Sequence, residues 1–513
     1  MGEAKRKREL YQILNNPERM LLDTPGGRIH VQWDEQAHAT PQAQLSFFAQ
    51  FLHCTGLFQD WVERCPLVYA SPNAPPKQDI LGTWLLAILS GHKRYAHITA
   101  MRGDVVSARL LGMHKIRSED ALRRALSRMD AEQSRNWLQP QLLTSVRAAL
   151  VQPWILDVDA TIKPLFGHQE GAEIGYNPHK PGRPSHVLHT YWVSTLRAVL
   201  DVVVSGGKEH SASHALPGLI AILDSLAPNE LPHLVRGDCA FGNEPFIDQL
   251  EARGQHYLFR LRQTGNVKKM LTRLFTRTDW TRPTQASQGF SAIEDRLKLV
   301  GWSQERRVII LRRPIKSELA ITQADKTLPS QLSLLEPDSN LKAWEYVVLV
   351  TNCDYTLEAI AQLYRDRADC ENGFDELKNQ WGWGGFMTQD ITRCQTNARA
   401  IALIYNWWSW YCRAAKPDQH MEAITSRALL LAGVGKAVSH AGQTTLYLTT
   451  IHAAKTTLMK LIANIHAALQ YIKDIAEQLP AANKWNAFID YVVAKIVRIK
   501  PPIATALAHA GDG

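Results

Sequence analysis

The chain has 513 residues, of which 45% are hydrophobic and 21% charged, so it is long enough for two to four globular domains. Its net charge of +9 favours an acidic partner such as nucleic acid. No two of its seven cysteines form a CxxC pair, which argues against a zinc ribbon or a disulfide framework and predicts reduced thiols in the cytoplasm.

The first 150 residues divide into an arm and a helical region. Residues 1–40 are basic and polar, and their start, MGEAKRKREL, lacks the apolar stretch of a signal peptide, so they predict a flexible arm in a cytoplasmic protein. Residues 41–150 follow a helical pattern rich in Lys, Arg and His, with Ser118 as an N-cap. This region is predicted to be a DNA-binding domain; a helical packing domain with basic solvent-facing sides is the alternative.

A change of pattern at residue 151 begins an α/β region that runs to residue 262. PWILDVDAT (153–161) and HLVRGD (233–238) are short apolar runs typical of buried strands. Further strands are predicted at 186–196, 198–205 and 256–262, with helices on both sides of the fourth strand. The order of three strands, helix, strand, helix and strand predicts a mixed sheet.

The segment 263–343 lacks the helical pattern and carries threonines and short alternating runs, which predict a β-rich stretch. Residues 256–316 contain 14 Lys and Arg but only 4 Asp and Glu. The net charge of this stretch, +10, therefore exceeds the net charge of the whole chain, +9. Such concentrated charge strengthens the prediction of a nucleic-acid partner.

After a strand at 344–352, the chain is predicted to be helical to its end, including a C-terminal region at 416–513. Its most apolar segment, ARAIALIYNWWSWYCRAA, spans residues 398–415. Arg399, Asn406 and Arg413 interrupt that segment, so it predicts a buried helix and no membrane span.

One helix, within LYRDRADCENGFDELK (363–378), carries polar residues where a core-facing helix would be apolar. Tyr364, Arg367, Glu371 and Lys378 fall within about 60° of each other around the helix axis. Such a stripe is either a functional face or a solvated face with ion pairs between neighbouring turns.

Three acids fit the carboxylate set that metal-assisted phosphoryl transfer needs. Asp159 and Asp238 are predicted to end two strands, and Glu371 lies on the polar helix. Carboxylates presented in this way can converge on divalent ions. Asp157 faces the same side of its strand as Asp159, so both could reach the site, and Asp159 is preferred because small residues follow it. Each aspartate could instead cap a helix or sit in a loop.

The spacing Y-x2-R-x3-E-x6-K resembles the signature of a large group of bacterial insertion-sequence transposases in the DDE superfamily. The stretches around Asp159 and Asp238 also resemble those around the two aspartates of that group. The resemblance covers roughly residues 150–415. Their catalytic domain is similar to ribonuclease H and retroviral integrase.

The resemblance implies a multi-domain α+β protein with helical N-terminal and C-terminal regions. The ribonuclease-H-like α/β core would comprise 151–262 and 344–415, the second part carrying the catalytic helix. The basic segment 263–343 would be a β-rich insertion into that core.

The resemblance also implies roles for the polar residues. Asp159, Asp238 and Glu371 would bind two Mg²⁺ ions, for which Mn²⁺ can substitute. On the same helix, phosphates of the transposon end would be held by Tyr364, Arg367 and Lys378.

Two further DNA contacts are expected outside the catalytic helix. The resemblance implies that, if excision passes through a DNA hairpin as in related transposases, an aromatic residue from the end of the insertion would stack on a flipped base. Trp344 is the first choice and Tyr346 its rival, with core packing as the alternative for either. A rigid basic loop beside the first aspartate carries Lys180 and Arg183 and is predicted to contact DNA, or else to be a structural turn.

The predicted function is that of a DNA transposase. It would bind the inverted-repeat ends of an insertion sequence, cleave them by metal-activated water and join the 3′ hydroxyl ends to target DNA. Its partners would be double-stranded DNA and a second copy of the chain, in the bacterial cytoplasm and away from membranes. The alternatives are a transposase-derived DNA-binding or regulatory protein without cleavage activity, and a ribonuclease-H-like nuclease.

Overall fold

The computed structural model describes residues 20–32, 34, 37–177, 180–208, 211–284, 287–314, 344–449, 454–476 and 481–499. In these residues, helical N-terminal and C-terminal regions flank a large mixed sheet, which confirms the predicted combination of α and β structure.

The described chain alternates between helical and strand-rich stretches. Its helices are α1 (Leu45–Thr55), α2 (Leu57–Glu63), α3 (Lys77–Leu89), α4 (Ile98–Met101), α5 (Val105–Leu110), α6 (Glu119–Leu126), α7 (Ala131–Thr144), α8 (Ser211–Ser225), α9 (Glu244–Glu251), α10 (Gly265–Phe275), α11 (Leu357–Arg365), α12 (Ala368–Asn379), α13 (Ile391–Ala415), α14 (Ala423–Leu430), α15 (Lys455–Ala476) and α16 (Ala481–Ile499). Its strands are β1 (Met20–Thr24), β2 (Gly27–Val31), β3 (Ala39–Thr40), β4 (Ile155–Pro164), β5 (Glu173–Ile174), β6 (Pro184–Val193), β7 (Ala198–Gly206), β8 (Leu234–Gly237), β9 (Tyr257–Arg260), β10 (Ser291–Leu297), β11 (Arg306–Pro314), β12 (Trp344–Thr351), β13 (Gly435–His440) and β14 (Gln443–Leu448).

The central sheet has the order β10-β11-β12-β9-β8-β4-β6-β5, and β7 also pairs with β6. Strands β4, β6 and β7 form an antiparallel meander, whereas β8 and β9 run parallel to β4. The chain thus makes three long strands, helix α8, strand β8, helix α9 and strand β9. This is the predicted order of elements, apart from the short added strand β5.

The predicted insertion does not build a sheet of its own in the described residues. Strands β10 and β11 pair with each other, β11 pairs with β12, and β12 pairs antiparallel with β9. The same segment also contains helix α10, which the sequence analysis missed although its apolar residues Val267, Met270, Leu271 and Leu274 have helical spacing and are buried. Residues 315–343 lie outside the described chain.

Part of the positive charge of this segment is neutralised internally. Arg306 forms ion pairs with both Glu244 and Glu251 of α9, at 2.5 and 2.8 Å. Arg307 pairs with Glu294 on the neighbouring strand at 2.7 Å. The charge count alone therefore overstates the positive surface that is available to a polyanion.

Helix α13 packs between the N-terminal helices and the sheet, and it is buried along nearly its whole length. Its polar residues serve as anchors to the sheet. Arg399 binds Asp201 with contacts of 2.8 and 3.0 Å, and the Asn406 side chain bonds both the N–H and the C=O of Val199. Arg413 donates to a carbonyl in the turn between β6 and β7. The predicted buried helix is confirmed, and no helix of the described residues is long and apolar enough to cross a membrane.

The terminal regions hold more strand structure than predicted. Within the predicted arm, β1 and β2 form an antiparallel hairpin, while residues 1–19 lie outside the described chain. In the predicted helical C-terminal region, β13 and β14 form a second hairpin that pairs with β3. Its turn uses Ala441 and Gly442, both with positive φ, which is typical of a tight two-residue hairpin.

Candidate functional site

The register of β4 and β8 brings Asp159 and Asp238 together. Val158 pairs with Gly237 in the parallel ladder, so the next residue on each strand is one of the two aspartates. Asp159 was predicted to end its strand, but β4 continues to Pro164 because its other edge stays paired with β6. Only the pairing of β4 with β8 ends at Asp159, and these two strands separate there.

Asp157 has a different environment from Asp159. Both of its carboxylate oxygens accept hydrogen bonds from Arg236 at 2.7 Å, and neither side chain has any exposure to solvent. The guanidinium of Arg236 also donates to Ser194 and to the carbonyl of Leu363 at the end of α11. Asp157 is thus committed to a buried structural pair, which leaves Asp159 as the more available acid.

The predicted catalytic helix is two helices, α11 and α12, joined by a turn at Asp366 and Arg367. The turn is tight: the N–H of Arg367 bonds the carbonyl of Tyr364, three residues before it, at 3.2 Å. Both turn residues keep right-handed helical dihedrals. The polar face that carries Tyr364, Arg367, Glu371 and Lys378 therefore bends at the turn but continues from one helix to the next.

The guanidinium of Arg367 lies between two of the predicted metal ligands. One of its terminal nitrogens is 2.5 Å from Asp159, and the other is 3.8 Å from Glu371. The Arg367 and Asp159 side chains are almost buried, whereas the Glu371 side chain is 70% exposed. Glu371 therefore faces Asp159 across a cation and does not touch it.

The electrostatics at Asp159 favour a proton or a cation. Burial raises the pKa of its carboxyl to about 7; Arg367 opposes this rise and the negative charge of Asp238 adds to it. Arg367 in turn has a raised pKa because the carboxylate of Asp159 offsets the cost of its burial.

This shift makes folding stability depend on pH. The unfolded carboxyl titrates near pH 4 and the folded one near pH 7, so the native state binds more protons between these values. Without metal, the free energy of unfolding is expected to fall as pH rises through this window, by at most about 1.4 kcal/mol per pH unit. Urea unfolding of wild type and Asp159→Asn in EDTA at pH 5 and pH 8 measures this. A fall of equal size in both proteins would contradict the assignment.

The carboxylates at this edge of the sheet are suitable ligands for a hard divalent cation. Carboxylate oxygens are the ligands that Mg²⁺ and Mn²⁺ prefer, and the negative charge of Asp238 acts on Asp159. Within the described residues, however, no three His, Cys, Asp or Glu side chains lie close enough together to hold a metal ion. The two aspartates supply the oxygen ligands that such an ion takes, and Glu371 would have to turn inward to join them.

The other acids of the helix have structural partners. Glu376 is buried and accepts from Trp381, from the ring of His420 and from the backbone of Ala423. Asp369 pairs with Arg197 on the sheet.

Tyr364 and Lys378 flank the acids at opposite ends of the stripe. The pKa of the half-buried Tyr364 is raised by burial, and the charges of Arg367, Arg260 and Asp238 all act on it, which places its ring beside the site. Arg260 ends β9 and was missed by the sequence reading, although an arginine at a strand end of the same sheet edge was a usable signal. Lys378 is half-buried two helical turns beyond Glu371 on the same face.

Trp344 begins β12 at the same edge of the sheet as Asp238, because β12 runs antiparallel to β9. The guanidinium of Arg312 lies over its ring at 4.7 Å and over the ring of Trp280 at 3.7 Å. Trp344 is therefore half-buried against a cation in this structure, while Tyr346 packs on the core.

Lys180 and Arg183 lie in the long loop between β4 and β6, which also leaves the sheet at this edge. Both cations approach the ring of Phe166, at 5.1 and 4.8 Å, and that ring is 68% exposed. The structure thus places the predicted contacts at one edge, although it does not bring Lys180, Arg183 or Trp344 into contact with the acids.

Gly373 sets how closely α12 approaches the sheet. A Cβ at this position would lie 2.6 Å from the ring of Trp192, which is fully buried on β6. Phe374, the next residue, packs edge-on against the same ring. Only glycine allows the helix that carries Glu371 to lie this close to Asp159.

Gly373→Ala is therefore expected to push α12 outward, destabilise the fold by about 1–3 kcal/mol and lower any activity that needs Glu371 near the aspartates. The measurements are the urea midpoint and the activity. Gly265→Ala, at a helical glycine with no atom within 4 Å of the added Cβ, is the matched control and should be neutral or slightly stabilising. Equal behaviour of the two variants would contradict the packing argument.

The chain was also compared with known protein families, sequences and structures. The sequence profile of the family described as transposase DDE domain group 1 matches residues 74–470. No curated protein matches the sequence significantly. Among solved structures, the chain is similar to a piggyBac transposase in a synaptic complex with hairpin DNA, determined by cryo-EM. The similarity covers 91% of this chain and 88% of that one, with 13% sequence identity and a TM-score of 0.35, values too low to transfer residue roles.

Proposed function

The chain belongs to the transposase DDE domain family, group 1, and from this membership we propose that it cuts and joins DNA at the ends of an insertion sequence. It would bind the inverted-repeat ends, cleave them by attack of water on a phosphodiester and join the 3′ hydroxyl ends to target DNA. Two ends must be paired for joining, so a homodimer on double-stranded DNA is part of the proposal. The proposed location is the bacterial cytoplasm, on the nucleoid when DNA is bound.

One observation carries this proposal: the β4–β8 register sets Asp159 beside Asp238, and Arg367 links Asp159 to Glu371. Three carboxylates separated by up to 212 residues in sequence are thus carried by elements at one edge of the sheet, with Glu371 turned toward solvent. Asp159, Asp238 and Glu371 would hold two divalent ions, Mg²⁺ or Mn²⁺. Bound there, such ions supply Lewis acids that strengthen the nucleophile and stabilise charge on the phosphate.

The chain's own residues would position the DNA. Arg367 would exchange the Asp159 carboxylate for a phosphate oxygen, since a guanidinium binds either with two parallel hydrogen bonds. Tyr364 and Lys378, on either side of Glu371, would donate to neighbouring phosphates. Lys180 and Arg183 would hold the duplex farther from the cut, and Trp344 would stack on an unpaired base after Arg312 withdraws from its ring.

The proposed domains follow the sequence boundaries. The helical region 41–150 would bind DNA, the core 151–262 with 344–415 would carry the chemistry, and the insertion 263–343 would contact the transposon end. Because the insertion continues the catalytic sheet through β12, its contacts would be rigidly connected to the aspartates.

A cleavage assay tests the function. The purified chain is incubated with DNA that carries the terminal inverted repeats flanking its gene, with Mg²⁺ or with EDTA. Cleavage at the repeat ends, only with Mg²⁺, is expected. Specific binding without cleavage would identify a DNA-binding regulator instead. Cleavage of RNA–DNA hybrids with no preference for the repeats would identify a ribonuclease-H-like nuclease.

A further inference from the structure

A cleft of about 320 Å³ lies between helix α6 of the N-terminal region and the segment that leads into α13. It is separate from the acids and from the DNA contacts described above. Its lining residues come from three parts of the chain: Arg123, Gln169, Met387, Thr388, Gln389 and Arg393.

The floor of the cleft is fixed by backbone hydrogen bonds. The N–H of Glu170 donates to the carbonyl of Gln389 at 2.8 Å, and the Glu170 carboxylate accepts from the N–H of Ile391 at 3.0 Å. The ring of His186 on β6 is 2.7 Å from the carbonyl of Glu170. These bonds hold the loop after β4 against the start of α13, so the two glutamines of the cleft are held in place.

Both guanidinium groups of the cleft are held by groups at its wall. Arg123 stacks over the buried ring of Tyr95 at 4.9 Å, and the Tyr95 hydroxyl bonds Asn397 of α13. Arg393 is paired through its Nε with Asp390, the N-cap of the same helix. A guanidinium has five N–H donors, so the ion pair of Arg393 leaves donors for a ligand.

The lining is suited to an anion that also accepts hydrogen bonds. It combines two cations with the N–H groups of two carboxamides, and none of the six lining residues is acidic; the Thr388 hydroxyl is already used in a bond to the carbonyl of Asp390.

The position of the cleft connects it to the catalytic edge. Gln169 lies in the loop that follows the carboxyl end of β4, and three residues earlier the same loop carries the exposed Phe166 with its two cations. Thr388 and Gln389 follow α12 by one loop. A duplex that passes the aspartates could therefore extend along this loop and reach α6.

We infer that this cleft binds the phosphate backbone of the DNA duplex that is cut at Asp159 and Asp238, an inference that rests on the function proposed above. Arg123 and Arg393 supply the charge, and the carboxamides of Gln169 and Gln389 bond phosphate or sugar oxygens. The cleft thereby links the N-terminal helices and the catalytic core to one DNA molecule.

The test is DNA binding by the full chain in EDTA, measured by fluorescence anisotropy over a range of salt concentrations, with a duplex that carries one terminal repeat. Arg123→Gln and Arg393→Gln are compared with Arg124→Gln, an exposed arginine on the same helix that does not line the cleft. Each cleft variant is expected to raise Kd about tenfold and to reduce the slope of log K against log salt by about one. The control should match wild type.

Gln169→Glu is a second variant that keeps both arginines. It places a carboxylate against the phosphate and should also raise Kd about tenfold, with an unchanged unfolding midpoint. Wild-type Kd and salt slope in the Arg123→Gln/Arg393→Gln double variant would overturn the inference while leaving the proposed function intact. A different outcome separates the two proposals: the wild-type chain binds the repeats but never cuts them, and the cleft variants lose that binding. This would support DNA binding by the cleft and refute the cleavage proposal.

Discussion

Asp238→Ala is expected to reduce strand cleavage by about 10³-fold while leaving DNA binding nearly unchanged. The carboxylate lies beside Asp159 at the point where β4 and β8 separate, and it accepts only one protein hydrogen bond that the structure shows, from the N–H of Ala240. Loss of one metal-binding carboxylate removes roughly 4 kcal/mol of transition-state stabilisation, at about 1.4 kcal/mol per tenfold in rate. Single-turnover cleavage of repeat-containing DNA measures the rate, and anisotropy measures the binding.

The same loss is expected for Asp159→Asn, in which the amide oxygen still accepts a hydrogen bond from Arg367 and preserves the packing. Asp248→Ala, on the exposed face of α9, is the control for removing a nearby acid and should cleave like wild type. If Asp238→Ala cleaves as fast as Asp248→Ala, Asp238 has no part in the chemistry.

Arg236→Met is expected to destabilise the protein by about 3–5 kcal/mol, the largest stability effect predicted for a single side chain in the sheet. It would leave the carboxylate of Asp157 buried with no exposure and without its two 2.7 Å bonds. An unpaired charge with no exposure to solvent is costly. Urea unfolding at pH 8 measures the change.

The double variant Asp157→Leu/Arg236→Met separates structure from chemistry. Replacing both members of a buried pair by apolar side chains costs far less than removing one, so the double variant should recover most of the stability. It should also keep cleavage activity, because Asp157 is assigned no contact with metal or DNA. A stable double variant without cleavage would show that Asp157 shares the role of Asp159.

The short, nearly continuous apolar runs were sufficient to predict the central strands. β4, β6, β7, β8 and β9 all occur where sequence patterns place them, since each is buried on both faces. The hairpin β13–β14 was missed because its residues are largely exposed and its stability comes from a tight turn and from pairing with β3. No periodicity within the segment reports a partner 395 residues away in the chain.

The candidate site was predictable as a set of residue types and not as a geometry. The spacing of Tyr364, Arg367, Glu371 and Lys378 indicates a common helical face, but the turn at Arg367 depends on packing against the sheet. The bond from Arg367 to Asp159 joins residues 208 apart, and sequence alone gives no sign of it. A charged residue inside the run HLVRGD did offer a signal for the Arg236 pair, because a buried arginine requires a buried acid.

Because Asp159 and Glu371 are far apart in sequence, the ribosome adds them to the chain at well-separated times. Their codons are separated by 211 others, which a ribosome translates in roughly 10–40 s at 5–20 residues per second. Within that interval, from the synthesis of Arg260 to that of Trp344, one edge of β9 is unpaired, since its neighbour β12 has not been made. A nascent or truncated chain that stops before the turn at Arg367 holds both aspartates without Arg367 or Glu371. The proposed cleavage activity would therefore arise only late in synthesis, so fragments of the protein are expected to be inert toward the genome of the cell that makes them.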